Sequence, residues 1–150
     1  MADKGLSSTT ITQVAIIVKD IEDSAKRYAA LLGVDVPKIG LTDAAETSHI
    51  KYKGGDTKAR AKLAFFDTGT CRIELIEPVD RPSTWGDFLD QRGEGIHHIA
   101  FNVPKLDQDI ALLKTMGMNV VQTGDYTGGC YTYVEGTATP GVTLELLANK

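Results

Sequence analysis

Two hydrophobic rhythms alternate along the chain. ITQVAIIV (11–18) is rich in β-branched residues and predicts a buried strand. KDIEDSAKRYAALLG follows, with Ile21, Ala25, Tyr28 and Leu32 at helical spacing. Asp20 is placed to cap that helix, Glu22 and Asp23 fall in its first turn, and Gly33 stops it. KLAFFDTGTCRIELIEP (62–78) predicts a hairpin about the turn Asp67-Thr68-Gly69-Thr70. The plan then recurs. HHIAFNV (97–103) predicts a strand. PKLDQDIALLKTMG (104–117) predicts a helix, opened by Pro104 and closed by Gly117, with Leu106, Ile110 and Leu113 on one face. MNVVQT (118–123), CYTYVEG (130–136) and GVTLELLA (141–148) complete it as strands between glycine-rich turns.

The recurrence has a register. Val18 and Val103 end the two first strands, 85 residues apart, and the same offset carries Ile21 onto Leu106 and Gln13 onto His98. IELIE (73–77) and LELLA (144–148) lie 71 residues apart. The first half thus holds 14 more residues, assigned to the polar stretch 38–61, a long loop with or without a short strand at 48–53. Two βαβββ modules follow, about 11–78 and about 96–148, paired in one α+β domain over 11–148 as a cupped mixed sheet. Residues 1–10 read as a flexible N-terminus.

Strand alternation sorts the polar residues. Gln13 shares a face with Ala15 and Ile17, Glu74 with Arg72 and Ile76, His98 with Ala100 and Asn102, and Glu145 with Thr143 and Leu147. On strict alternation, His97 faces away from His98. The repeat pairs Gln13 with His98 and Glu74 with Glu145, so four donors converge if the halves pack side by side. A carboxylate in an apolar strand is costly unless paired or metal-bound, and two in one site repel. A divalent cation resolves both problems. One nitrogen and three oxygens suit Zn, Mn, Co or Ni. An octahedral ion would leave two positions for water or adjacent substrate oxygens, acting as a Lewis acid toward an enolate or enediolate.

The segments QVAIIVKDIEDSAKRYAALLG, IELIEP, GEGIHHIAFNV and GVTLELL resemble the strand and helix motifs of the vicinal oxygen chelate (glyoxalase/bleomycin resistance) superfamily, over about 11–148. IELIEP…FLDQRGEGIHHIAFNV is most similar to methylmalonyl-CoA epimerases. The resemblance implies metal ligands at Gln13, Glu74, His98 and Glu145, with Glu145 as the leading proton-transfer base and Glu74 as the second. It implies a homodimer, and a metal-dependent epimerase or isomerase working beside a chelated carbonyl. Two features depart from the epimerases. They usually carry His where this chain has Gln13. Their second catalytic Glu would fall near Lys58, where the nearest carboxylate is Asp56. The ligand set is similar to that of some glyoxalase I enzymes, so the second reading is a lyase acting on a hemithioacetal. The third is a non-catalytic small-molecule-binding protein on the same fold. The substrate classes in view are acyl-CoA, hydroxyketone and hemithioacetal.

Composition narrows the field further. The net charge of −4 argues against a nucleic-acid partner. No apolar run reaches the roughly 18 residues of a membrane span, and MADKGLSSTT lacks a signal-peptide core. Cys71 and Cys130 are too few for a disulfide framework. The expected compartment is the cytoplasm. His49 falls in the long loop, a candidate lid. Lys51, Lys53, Lys58, Arg60 and Lys62 read either as an anion-attracting run or as a solvated edge. Trp85 and Phe88 sit at helical spacing as core caps, Tyr126, Gly128 and Gly129 lie in a turn bordering the pocket, and Cys130 reads as buried filler.

Overall fold

The computed structural model describes residues 5–137 and 139–150; the expectation of a flexible start lies outside the described residues at 1–4. In chain order the elements are β1 (Ile11–Ile17), α1 (Ile21–Leu32), β2 (Gly40–Leu41), α2 (Ala45–Ser48), β3 (Lys51–Tyr52), β4 (Gly55–Asp56), β5 (Ala61–Asp67), β6 (Arg72–Pro78), α3 (Thr84–Arg92), β7 (Gly95–Asn102), α4 (Leu106–Thr115), β8 (Met118–Tyr126), β9 (Gly129–Gly136) and β10 (Thr143–Asn149). The strands form one curled, mixed sheet in the order β2-β5-β6-β1-β7-β10-β9-β8-β3-β4. This is the expected α+β cup. Each half repeats the same pairing: β1 runs parallel to β6 as β7 runs parallel to β10, and β1 and β7 meet antiparallel at the seam.

Local chemistry accounts for the helices. Asp20 accepts a hydrogen bond from the Asp23 N–H at 3.1 Å, and Gly33 closes α1 in the left-handed region at φ 68°. Helix α1 buries Ile21, Ala25 and Ala29 against Ala64, Phe66 and Leu75, with the Tyr28 ring beside Phe66. Leu32, expected on that face, is 39% exposed at the end of the helix. Helix α4 covers the other half, packing Leu106, Ile110 and Leu113 over Met118, Val134 and Leu146. Each fully buried Ile or Leu contributes about 1.5–3 kcal/mol. Near the start of the described chain, Ser7 donates from its N–H and its hydroxyl to the buried Asp109 of α4, and Leu6 packs on the same cluster.

The stretch 38–61 is more than a loop. Its β2 pairs with β5 on one side of the sheet, while β3 pairs with β8 on the other. Only residues 42–50, including the single turn α2, lie between. At no more than about 3.3–3.6 Å per residue, that span demands a sheet curled far enough for its two sides to approach. The insert is fastened to the second half by Lys53 N–H to Val121 O (2.8 Å), by His49 Nδ1 at 2.9 Å from Asp125 Oδ2, and by the Tyr52 hydroxyl donating to Asp87.

Candidate metal centre and ligand cavity

The seam sets the site. Across it Ala15 faces His98 and Gln13 faces Ala100. On the flanks, Glu74 lies beside Ala15 and Glu145 beside Ala100. Two rows result: Glu74–Ala15–His98, and Gln13–Ala100–Glu145. The 85-residue offset exchanges their seam residues, so the sequence repeat is a physical two-fold. Each row has an alanine between two donors, where a larger side chain would crowd them. All four donors are buried, His98 completely.

His97 is a correction to strict alternation. Ala15 pairs with His98, but Ile16 pairs with Ile96, so His97 is the extra residue of a β-bulge. The matching irregularity in β1 skips Thr12, which is 85 residues upstream. The bulge turns His97 toward its neighbour: the ring centroids are 5.1 Å apart and Nδ1 lies 2.8 Å from His98 Nδ1.

The other face of His98 is open to an acceptor or an ion. Its Nε2 lies 2.9 Å from Glu145 Oε2, yet off the line a hydrogen bond needs, and has no hydrogen-bond partner among the described residues. Metal–ligand bonds run about 2.0–2.2 Å, so two donors at right angles about one ion sit about 3 Å apart, close to this spacing. Gln13 differs. One end of its amide lies 3.3 Å from Glu74 Oε2 and the other 2.9 Å from Arg72 Nη2. With Nε2 toward Glu74, both ends are satisfied without an ion. Turned over, Oε1 faces the carboxylate, an arrangement only a cation between them would favour.

The electrostatics agree. The Glu74 carboxyl is pushed up to about 8 by burial and by the Glu145 carboxylate, against the pull of His98 and Arg72. Burial would lower His98, but Glu145 and Glu74 outweigh it and raise it. Burial and the charges of His98 and Arg92 hold His97 well below the usual histidine range. The buried Glu74 carboxyl thus lacks enough nearby positive charge to ionise readily. The donors fit a divalent ion in chemistry and in the orphaned nitrogen. They are not drawn in to grip one: among the described residues no cluster of three or more His, Cys, Asp or Glu side chains is placed to hold a metal as it stands.

A cavity of about 670 Å³ opens over the donors. Gln13, Glu74 and Glu145 line it, and His98 lies behind them. Trp85, Tyr131 and Tyr133 form an aromatic side, with Trp85 Nε1 donating to Tyr133 OH at 2.9 Å. Burial raises both tyrosines above the usual phenol range, so they stay protonated. Tyr131 has room for its ring because Gly124 lies opposite; a Cβ there would come within 2.5 Å of it. Tyr126 borders the cavity as expected. Ser48 and Arg72 were not singled out from sequence, and both line it. Ser48 Oγ is buried without a hydrogen-bond partner among the described residues. Residues of the basic run are occupied elsewhere: Lys51 with Asp56, Arg60 with Thr42 O, Lys62 with Glu77. None of its five residues is among the described residues lining the cavity; Ala59 is. Trp85 and Phe88 pack in the core beneath, and Cys130 is buried.

A cupped sheet built from two βαβββ halves, with its donors at the seam, defines the class. The chain belongs to the glyoxalase/bleomycin resistance protein/dioxygenase superfamily, whose sequence profile matches residues 12–134. Similar proteins include the uncharacterised YqjC of Bacillus subtilis, 30% identical over 94 residues, 61% of this chain and 67% of that protein. Human mitochondrial methylmalonyl-CoA epimerase is 28% identical over 105 residues, 69% of this chain and 52% of that protein. The chain therefore spans about half the length of the human enzyme. Among solved structures, a hypothetical protein from Bacillus halodurans C-125 superposes with a TM-score of 0.67 at 26% identity, over 94% of both chains. A methylmalonyl-CoA epimerase from Streptomyces coelicolor, in complex with 2-nitronate-propionyl-CoA, shares the fold at a TM-score of 0.64 and 24% identity, over 94% of this chain and 97% of that one. No helix among the described residues is long and apolar enough to cross a membrane.

Proposed function

We propose that this protein is a metal-dependent epimerase or isomerase that transfers a proton at a carbon next to a carbonyl, with Gln13, Glu74, His98 and Glu145 holding one divalent ion (Zn, Mn, Co or Ni). The observation that carries this reading is the convergence of buried donors from both halves at one cavity, with the His98 Nε2 lone pair unclaimed. A bound ion would polarise the substrate carbonyl and acidify the neighbouring C–H.

The chain's own residues do the rest. Glu145 takes the proton from the substrate carbon at the cavity wall. Glu74 approaches from the opposite flank of the seam, where it can return a proton, as inversion at carbon requires. Arg72 offers a cation to an anionic substrate group, and Trp85, Tyr131 and Tyr133 exclude water around the reacting carbon. The segment expected to hold a further catalytic Glu contributes only Ala59 to the wall, while Asp56 points into solvent with Lys51. The acyl-CoA complex of the Streptomyces relative supports an acyl-CoA as the first substrate class to test. Gln13 favours the second reading, a glyoxalase I-type lyase acting on a hemithioacetal; hydroxyketones are the third substrate class. A homodimer in the cytoplasm is the assembly we propose.

The test is solvent exchange. The metal-supplemented protein is incubated in D₂O with methylmalonyl-CoA, a hydroxyketone or a glutathione hemithioacetal, and the products are weighed by mass spectrometry. Deuterium at the carbon beside the carbonyl is expected. Its absence with every substrate would overturn the proposal and leave a binding protein.

A further inference from the structure

Behind the cavity runs a buried chain of hydrogen bonds that the proton-transfer reading does not use. His98 Nδ1 lies 2.8 Å from His97 Nδ1, and His97 Nε2 lies 3.1 Å from Thr84 Oγ1. The Thr84 N–H donates to Gln122 Oε1 at 2.9 Å, and Gln122 Nε2 donates to Tyr131 OH at 3.2 Å, back at the cavity wall. Phe88 and Tyr133 pack edge-on against the His97 ring, with centroids 5.4 and 5.3 Å away.

We propose that His97 is a positioning residue: it accepts the Nδ1–H of His98 and so leaves His98 Nε2 free to give its lone pair to a cation. This rests on the metal-binding reading above. Two ring nitrogens at 2.8 Å form a hydrogen bond only if one carries a proton and the other does not. A nitrogen that binds a metal carries none, so the proton of a neutral His98 sits on Nδ1. His97 Nδ1 is then the acceptor. Its own proton is on Nε2, and Thr84 Oγ1 stands ready to accept it. Metal-ligating histidines commonly pass their second N–H to a carboxylate, a carbonyl or water; here the acceptor is the adjacent histidine. Only the bulge permits this, because neighbours on a regular strand point to opposite faces. The Phe88 and Tyr133 rings hold the His97 ring against rotation.

Co(II) binding tests the inference, followed by its visible absorption and by chelator competition. His97→Phe removes the acceptor and keeps a ring. His97→Asn removes the ring and keeps an acceptor oxygen. His97→Phe should weaken Co(II) affinity about 10–100-fold, and His97→Asn should recover most of that loss, while both metal-free variants melt cooperatively. Equal losses in two folded variants, or no loss in either, would overturn the role. A second readout needs no metal and no variant. In ¹⁵N-resolved NMR of the wild-type protein, His98 Nδ1 should carry a proton and His97 Nδ1 should be bare; a bare His98 Nδ1 overturns the proposal. If the wild type takes up no Co(II), the metal reading fails, and the NMR result still decides the tautomer.

Discussion

Single atoms already separate a binding site from ordinary core. Ser48 Oγ lies at the cavity wall in a residue only 6% exposed, and it has no hydrogen-bond partner among the described residues. An unpaired buried hydroxyl costs about 1–3 kcal/mol, and Ser48→Ala removes it with little change in volume. The ligand-free variant should melt at or above the wild-type temperature by calorimetry; a clear fall would mean the hydroxyl already has a partner. Glu145 makes the opposite case. Glu145→Gln keeps the shape and removes the base, so deuterium incorporation should fall at least about 10²-fold while the circular dichroism spectrum is retained. Exchange at the wild-type rate would take Glu145 out of the chemistry. Gln13 and His98 were legible as equivalents because the repeat offset fixes them. Ser48 was not, since nothing in AAETSHI distinguishes a wall serine from a solvated one.

Elements show where local pattern suffices and where pairing decides. Helix α1 was legible almost to the residue because its cap, its apolar face and its terminal glycine all act within one segment. The orientation of His97 was not legible from alternation. A bulge belongs to the pairing of two strands, and the periodicity of β7 alone does not encode it. The insert's extra length was legible, and β3 falls within the short strand allowed at 48–53, but its pairings were not: β2, β3 and β4 are two residues each, too short for a rhythm, and β3 is placed by its partner β8 far along the chain. The seam carries its own prediction. Ala100 is fully buried between Gln13 and Glu145. Ala100→Leu should destabilise the protein by about 1–3 kcal/mol through overpacking, measured by urea unfolding, and should abolish ion binding. A variant of wild-type stability would show that the two rows are not close-packed at the seam.

On the scale of the molecule, the duplication explains the site. The two halves, offset by 85 residues at the seam strands and by 71 at the carboxylate strands, each bring one seam donor and one carboxylate to the same face of the sheet. Helices α1 and α4 cover the outer face, α2 and α3 flank the cavity on the inner one, and the insert fastens one side of the sheet to the other. The cup was legible because the repeat predicts two like halves in one sheet; the closure over it was not, because it depends on which sides of a curled sheet approach. The central claim is that the four donors hold one divalent ion, and metal titration tests it most directly. Calorimetry with Zn(II) or Co(II) on the metal-free protein should give one saturable site per chain. His98→Ala should lose it, and ion at about 100 times Kd should add about 2.7 kcal/mol to unfolding stability. No saturable uptake, or uptake that His98→Ala leaves unchanged, would contradict the account.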